Sequence, residues 1–259
     1  MSKAPPFRPS QSQKTIRSPI PTMTDYYSNS EEKHKFIAGI FDHTAGDYDR
    51  MERLLGLGSG SWYRGQALLR AGLTSGMSVI DVAVGTGLVA REAVRIVGHA
   101  ELVVGVDPSI GMLNNAKVPY GVRLVEGKAE AIPLPDASFD FLGMGYALRH
   151  IADLSAAFSE FHRVLKPGGR LCILEITPPK GRVAKALLKT YMRDVVPTVG
   201  KLFSRSGETA TLWRYYWDTI EACAPAEDVM ATLKACGFDD VQRVVTQGIF
   251  SEYQARKKA

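Results

Sequence analysis

Two patterns of apolar and polar positions alternate along the chain from residue 77 onward. Short continuous apolar runs, which are typical of buried strands, alternate with stretches in which apolar residues recur at helical spacing. The predicted strands cover residues 79–83, 102–106, 122–125, 139–146 and 171–176, and the predicted helices cover residues 88–97, 109–117 and 153–165. Strands that alternate with helices in this way predict a parallel sheet with helices on both faces.

Two further segments show helical spacing without a strand pattern. Residues 30–70 predict N-terminal helices, and residues 178–224 predict a helical insertion. The insertion is dense in aromatic side chains, namely Trp213, Tyr215, Tyr216 and Trp217. Aromatic side chains at this density either fill a hydrophobic core or line an apolar pocket, and the sequence leaves both roles open.

The C-terminal segment, residues 225–259, predicts one more helix and two strands. The helix covers residues 225–236 and begins at a proline, and strands 241–246 and 249–255 are separated by a Gln-Gly pair that favours a hairpin. We therefore predict an α/β fold with a Rossmann-like, doubly wound, seven-stranded sheet. This sheet is mostly parallel and ends in a C-terminal antiparallel hairpin, and the N-terminal helices and the helical insertion are added to it.

The composition excludes several classes of protein and favours a globular one. With 259 residues, a hydrophobic fraction of 45% and a charged fraction of 23%, the chain is typical of one globular domain. No apolar stretch reaches the roughly 18 residues of a transmembrane helix. Three cysteines without a C-x-x-C pair argue against a disulfide framework or a zinc site, and they fit a reducing compartment such as the cytoplasm. The net charge of +5 is spread along the chain, so we expect no nucleic-acid partner.

The first 24 residues differ from the rest in composition. Five prolines and four basic residues precede the first acidic residue, Asp25. We interpret residues 1–24 as a disordered leader, because prolines spoil an amphipathic helix, and residues 25–259 as a single domain. The alternative is a transit peptide, which is also basic and poor in acid and which would place the protein in an organelle matrix.

A glycine turn after the first predicted strand carries the clearest chemical signal. The segment Gly85-Thr86-Gly87-Leu88-Val89-Ala90 matches the G-x-G-x-x-G/A fingerprint, in which glycines allow close approach of a ligand to the backbone. Asp107 follows Gly87 by twenty residues, at the end of the next strand, where a carboxylate can accept both hydroxyls of a ribose. These residues leave a nicotinamide oxidoreductase and an enzyme of another nucleoside cofactor as alternatives.

Asp81, inside the first strand, favours the second alternative. It lies four residues before Gly85, so its carboxylate should face the ligand of the glycine turn. A pyrophosphate would be repelled by this charge, whereas an amino-acid ammonium would be attracted. S-adenosylmethionine carries such an ammonium and no phosphate, so Asp81 favours it over NAD as the cofactor, and a nicotinamide oxidoreductase stays the less favoured alternative.

Further segments follow the glycine turn in a fixed order. They are Glu126-Gly127-Lys128-Ala129-Glu130, Ile132-Pro133-Leu134-Pro135-Asp136, Ser138-Phe139-Asp140 and Leu165-Lys166-Pro167-Gly168-Gly169-Arg170-Leu171. The ordered set resembles the class I S-adenosylmethionine-dependent methyltransferases. Residues 36–255 are similar to the ubiquinone/menaquinone biosynthesis C-methyltransferase family, through Phe41-Asp42, Tyr48-Asp49, Leu148-Arg149, Leu174-Glu175 and Thr246-Gln247-Gly248-Ile249.

This resemblance implies a set of cofactor-binding residues. Thr86 should touch the methionine part of S-adenosylmethionine, with Gly85 and Gly87 making room, and Gly145 should line the same part near the methyl group. Asp107 should hold the ribose hydroxyls.

The adenine should lie among three other residues. Met112 should lie against its ring, and Lys128 and Ala129 should meet its edge, with the Ala129 N–H as donor. The chain departs from the family here, since the family usually has asparagine in place of Lys128 and glycine in place of Val84. No metal is implied, because the histidines form no ligand cluster.

The acceptor side should follow the fourth strand. Carbon methylation of a hydroquinone needs a phenolate-like ring, and Arg149 could stabilise the developing oxyanion while His150 takes the proton. An ordinary imidazole titrates near pH 6.5 and suits this role. The family's Leu-Arg-Asn element reads Leu-Arg-His here, which leaves O- or N-methylation of another metabolite open. Alternatively, His150 only caps the next helix or contacts Asp153.

The expected function is methyl transfer to a small, apolar, aromatic acceptor, most simply a quinol ring. Residues 71–177 would hold the cofactor, residues 178–224 would lie on the acceptor side, and residues 30–70 would act as a lid. Contact with a membrane surface and a homodimer stay open, as does a catalytically silent protein that keeps the cofactor pocket.

Overall fold

The computed structural model describes residues 59–196, 198, 215 and 217–259, together with residue 39. The strands in this part of the chain are β1 (Val79–Val82), β2 (Val103–Asp107), β3 (Arg123–Glu126), β4 (Phe139–Gly145), β5 (Leu165–Ile176), β6 (Phe238–Thr246) and β7 (Phe250–Lys257). They form one sheet in the order β3-β2-β1-β4-β5-β7-β6. Strands β1 to β5 pair in parallel, and β7 is antiparallel to both β5 and β6. The predicted fold class is confirmed.

Six α-helices have both ends among the described residues, and residues 217–221 are helical as well. The six are α1 (Ser59–Arg70), α2 (Leu88–Val97), α3 (Ile110–Asn114), α4 (Leu154–Val164), α5 (Arg182–Thr190) and α6 (Ala226–Ala235). Short 3-10 turns cover Ala100–Leu102 and Leu148–His150, and a π-helical turn over Tyr191–Val195 extends α5. The predicted leader, and most of the predicted lid, lie outside the described residues.

Two hydrophobic cores cover the two faces of the sheet, because neighbouring residues of a strand point to opposite sides. Ile80 of β1 belongs to the core that α4 and α6 cover, through Phe158 and Leu233. Val79 belongs to the core that α1 and α2 cover, through Leu68. The sheet is therefore buried on both sides, and its ligand-binding edge is the carboxyl end of the parallel strands.

An ion pair at the end of α1 ties this helix to the last strand. The Arg70 guanidinium Nη2 lies 2.5 Å from Oε1 of Glu252, whose side chain is fully buried in β7. This contact fixes α1 across the sheet. No helix in the described part of the chain is long and apolar enough to cross a bilayer.

Three element boundaries differ from the prediction by three residues or more. Helix α3 ends at Asn114, three residues early, and the Lys117 N–H donates instead to the Thr86 carbonyl at 3.0 Å. Strand β5 begins at Leu165, six residues before its predicted start, and so includes the Lys-Pro-Gly-Gly segment. Strand β6 begins at Phe238, three residues before its predicted start. The predicted hairpin is confirmed, since Gln247 and Gly248 adopt φ angles of 52° and 74°, as a tight hairpin turn requires.

Candidate functional site

The glycine turn joins the carboxyl end of β1 to the start of α2. Gly85 and Gly87 have φ angles of 54° and 88°, and Gly87 is the N-cap residue of α2. A side chain at Gly87 would clash with the Val118 Cγ1 atom, and the positive φ angle adds strain, so only glycine fits there. Thr86, between them, is buried. Val84 packs in the hydrophobic core against Gly105 of β2, where an added side chain would come within 2.8 Å of the Val84 Cγ2 atom.

Asp81 is the most unusual group at this edge of the sheet. It pairs with Gly105 of β2 and Gly143 of β4, two residues without side chains, and it is 1% exposed. Neither carboxylate oxygen accepts a side-chain or backbone hydrogen bond that satisfies ordinary geometry within the described residues. Burial, reinforced by the negative charge of Asp107, raises the pKa of Asp81 to about 8. Buried carboxyl groups without a hydrogen-bond partner are rare, and this one could hold a cationic ligand.

Arg64 of α1 was not predicted as a site residue, yet the structure places it beside Asp81. Its side chain is 3% exposed, its positive charge lowers the pKa of Asp81, and its guanidinium lies 5.3 Å above the Tyr146 ring. Tyr146 follows β4 with a φ angle of 60°, which non-glycine residues rarely adopt. The available signal was an arginine one helical turn before Ala67 and Leu68, on the apolar side of α1.

Asp107, at the end of β2, holds the glycine turn and the start of α3 together. Its Oδ2 accepts the Gly85 N–H at 2.8 Å, and its Oδ1 accepts the Ser109 N–H at 2.9 Å. The Ser109 hydroxyl then caps α3 by accepting the Met112 N–H at 3.0 Å. The carboxylate is thereby fixed at the carboxyl edge beside Asp81.

The residues expected around an adenine follow β2 and β3. Met112 and Ala129 are buried, and Lys128 is exposed. The Gly127 N–H donates to the Asp107 carbonyl at 3.1 Å, which brings the segment after β3 next to the end of β2. The structure therefore brings these residues to the same edge as the glycine turn.

Gly145, at the end of β4, lies against the first turn of α2, next to the glycine turn. A side chain there would lie 2.6 Å from Cγ2 of Val89, which stands in the first turn of α2. Gly145 thus allows α2 to approach β4 directly beneath the glycine turn.

Arg149 is fully buried after β4, in contact with Glu175 of β5. The guanidinium Nη1 lies 2.5 Å from Glu175 Oε1 and also donates to the Tyr146 carbonyl at 2.7 Å. The Arg149 backbone N–H donates to Glu175 Oε2 at 3.2 Å. The pair therefore fixes the 3-10 turn that carries His150.

His150 lies half-buried against the helical insertion. Its ring stacks on Tyr215 with centroids 5.7 Å apart, and its Nδ1 is 3.4 Å from the tyrosine hydroxyl. The cap of α4 is Asp153, whose carboxylate accepts the Ala156 N–H at 3.0 Å. His150 is therefore not the cap of that helix, and it meets the aromatic segment that was expected on the acceptor side.

The site joins two acidic groups, a glycine turn and a histidine–tyrosine pair along one edge of the sheet. Two carboxylates at one turn suit a ligand that carries a cation and hydroxyls, and they oppose a pyrophosphate. Among the described residues, no group of three or more metal-ligating side chains could hold a metal ion.

Comparison with known proteins identifies the family. The model of the ubiE/COQ5 methyltransferase family matches residues 28–257. The chain belongs to this family of methyltransferases. A ubiquinone/menaquinone biosynthesis C-methyltransferase of Geobacter sulfurreducens is 37% identical over 234 residues, which cover 87% of this chain and 90% of that protein. The protein of the same name in Hahella chejuensis is 31% identical and covers 80% of this chain and 84% of its own length.

Solved structures agree on the fold. An S-adenosylmethionine-dependent methyltransferase of Thermotoga maritima, described as a possible histamine N-methyltransferase, superposes with a TM-score of 0.61 at 22% identity, covering 85% of this chain and 99% of that one. A phosphoethanolamine N-methyltransferase of Haemonchus contortus, solved with S-adenosylhomocysteine, gives 0.55 at 20% identity, covering 76% and 53%.

Proposed function

We propose that this methyltransferase uses S-adenosylmethionine to methylate a ring carbon of a quinol, as in ubiquinone or menaquinone biosynthesis. The observation that supports the cofactor is the buried Asp81 carboxylate without a hydrogen-bond partner in the described structure. The quinol is supported by the relatives from Geobacter sulfurreducens and Hahella chejuensis, whose names state this reaction.

The cofactor would lie along the carboxyl edge of the sheet. Asp81 would bind its ammonium, because the positive charge of Arg64 offsets the burial of this carboxyl group only in part and its pKa stays near 8. Asp107 would accept the ribose hydroxyls with the carboxylate oxygens that also accept the Gly85 and Ser109 N–H groups. The other proposed contacts are Gly85, Thr86, Gly87 and Gly145 for the methionine part and Met112, Lys128 and Ala129 for the adenine.

The cofactor and the protein would contribute different parts of the methyl-transfer reaction. When bound, S-adenosylmethionine supplies an electrophilic methyl group on a sulfonium. The chain must orient the acceptor carbon in line with that methyl group and exclude water. It must also remove the phenolic proton, since the ring is nucleophilic as a phenolate.

His150 is the proposed base, and Arg149 its positioning residue. The Tyr215 hydroxyl at Nδ1 would orient the imidazole, so that Nε2 takes the phenolic proton. Arg149 is committed to Glu175 and to the Tyr146 carbonyl, and it therefore holds the turn below His150. Because Glu175 neutralises its charge, the stabilisation of a developing phenolate expected of Arg149 is not part of this proposal.

The test is a methylation assay with cofactor labelled in its methyl group. Quinols that lack the ring methyl group are offered beside catechol, histamine and phosphoethanolamine, and the products are analysed by mass spectrometry and by NMR of the labelled carbon. We expect label on a ring carbon of the quinol alone. Label on oxygen or nitrogen would refute carbon methylation, and no label with any acceptor, despite cofactor binding, would favour a silent protein.

A second candidate is O- or N-methylation, which His150 favours. The family's asparagine is here replaced by a residue that can act as a base, which a hydroxyl or amine acceptor also needs. The same assay separates the candidates, because the position of the labelled carbon differs in each product.

A further inference from the structure

Arg64 is a buried cation on the inner side of α1, and its side chain is 3% exposed. The next residue, Gly65, lets α1 approach α2 closely, because a side chain there would lie 3.2 Å from Oε2 of Glu92. The end of the helix is bound to β7 by the Arg70–Glu252 ion pair. The packing of α1 on both neighbours therefore fixes the position from which Arg64 extends.

The guanidinium of Arg64 lies near the carboxyl ends of two adjacent strands, β1 and β4. It stands 5.3 Å from the centre of the Tyr146 ring, and Tyr146 directly follows β4. Its positive charge also acts on the carboxyl group of Asp81 in β1. The cation is thus placed beside Asp81 and Gly145, two of the residues proposed to hold the methionine part of the cofactor.

Arg64 and Asp81 are close without being bonded to each other. Within the described residues, neither oxygen of Asp81 accepts a hydrogen bond of ordinary geometry, so Arg64 donates none to it. A direct ion pair would engage both groups with each other, whereas two opposite charges held apart can each meet a different group of one ligand. An α-amino acid presents such groups, because it carries a carboxylate and an ammonium on the same carbon atom.

We propose that Arg64 binds the carboxylate of the amino-acid part of S-adenosylmethionine, while Asp81 binds its ammonium. The guanidinium is a planar fork of N–H donors that matches a carboxylate, and its charge does not depend on pH in the physiological range. This inference rests on the proposed cofactor, and it adds a residue that recognises the anionic group of that molecule. Arg64 then determines specificity, since the site selects ligands with an intact α-amino acid.

The consequence is discrimination between two methyl donors. Decarboxylated S-adenosylmethionine has the same sulfonium, ribose and adenine, and it keeps an amino group, but it has no carboxylate. It would lose the charge-assisted hydrogen bonds to Arg64 that the intact cofactor makes. We therefore expect the protein to bind the decarboxylated donor poorly.

Calorimetry of the full chain with two matched ligands tests the proposal. S-adenosylhomocysteine and S-adenosyl-3-thiopropylamine, its decarboxylated analogue, differ only in the carboxylate. The parent should bind the first more tightly by about ten- to a hundredfold, the effect of charge-assisted hydrogen bonds. In Arg64→Met, which keeps an apolar stem but no cation, this ratio of affinities should approach one. Arg64→Lys, which keeps the cation without the fork, should give an intermediate ratio.

The ratio of affinities separates ligand recognition from a structural role of Arg64. Arg123→Met, at the exposed start of β3, is the matched control and should keep the parent ratio. Equal affinities of the parent for the two ligands overturn the proposal, even if Arg64→Met does not fold. A parent-like ratio in Arg64→Lys and Arg64→Met, with both affinities lowered alike, also overturns it. If the parent binds neither ligand nor S-adenosylmethionine, the proposed cofactor itself is wrong.

Discussion

Arg149 and Glu175 form an ion pair in which both side chains are inaccessible to solvent, with Nη1 and Oε1 2.5 Å apart. The two residues lie on neighbouring parts of the carboxyl edge, one after β4 and one in β5. Their contact includes the Arg149 backbone N–H as well as its side chain. The turn that presents His150 is therefore fixed by an electrostatic contact, and its geometry depends on both partners.

Removal of one charge from the Arg149–Glu175 pair should destabilise the fold. Glu175→Gln leaves the Arg149 cation without its counter-charge, and we expect the free energy of unfolding to fall by about 3–5 kcal/mol. Urea denaturation measures this loss. The matched control is Arg149→Met with Glu175→Leu, which removes both charges and should recover most of the stability. A single variant as stable as the parent would show that the pair contributes little.

The pH dependence of the free energy of unfolding should reflect the ionisation of Asp81. The cofactor-free folded protein keeps the Asp81 proton up to a pKa of about 8, whereas an ordinary aspartate loses it near 3.8. Between these values the folded state binds more protons, so this group's contribution to stability falls as pH rises. Asp81→Asn should be more stable than the parent at pH 9 by about 2–5 kcal/mol, since one pKa unit is about 1.4 kcal/mol.

Calorimetry gives the complementary measurement on Asp81. Below pH 8, an ammonium ligand should bind the ionised carboxylate, so S-adenosylmethionine should release close to one proton on binding. Titrations in two buffers of different ionisation enthalpy count that proton. In Asp81→Asn the release should disappear, and the affinity should fall. An unchanged proton count in the variant would assign the proton to another group.

Asp107 should contribute both to cofactor binding and to the stability of the fold. Asp107→Ala should weaken binding of S-adenosylhomocysteine by roughly ten- to a hundredfold, because charge-assisted hydrogen bonds to the ribose are lost. It should also lower the free energy of unfolding by about 1–3 kcal/mol, since the Gly85 and Ser109 N–H groups lose their acceptor. Thermal melts with and without ligand separate the two effects. Unchanged affinity would rule out the ribose contact.

His150 should affect turnover and leave cofactor binding intact. His150→Ala is expected to lower kcat by about 10²–10⁴-fold, the usual range for loss of a general base. His150→Asn introduces the residue of the family and should also abolish the acidic limb of the pH–rate profile. Tyr215→Phe, which keeps the stacked ring but removes the hydroxyl at Nδ1, should give an intermediate loss. Full activity of His150→Asn with an unchanged profile would place the base elsewhere.

The strands and the glycine turn were predictable because the patterns that indicate them lie within a few consecutive residues. Helix α2 follows the predicted limits, residues 88–97, since glycines at both ends adopt positive φ angles. Helix α3 was predicted too long because the residues after Asn114 are helix-compatible but bond to the glycine turn through Lys117 and Thr86. That contact joins elements far apart in sequence, and no local pattern contains it.

The chemistry of the site was predictable in part for the same reason. The spacing of Asp81 and Asp107 from the glycine turn placed both carboxylates at one edge of the sheet. The sequence could not show that Arg149 would be committed to Glu175, twenty-six residues later, or that Arg64 would lie beside Asp81. Each depends on how β4, β5 and α1 pack, which is decided by the whole fold.

The buried Asp81 also has a consequence for the lifetime of the protein. At neutral pH the empty protein has to keep a proton on Asp81 that an ordinary aspartate would lose, which lowers its stability, and any ligand that binds only the folded state restores stability by mass action. Proteolysis samples the unfolded fraction, which grows as stability falls. A cell short of methyl donor would therefore degrade this protein faster, so its abundance would follow the supply of its own cofactor.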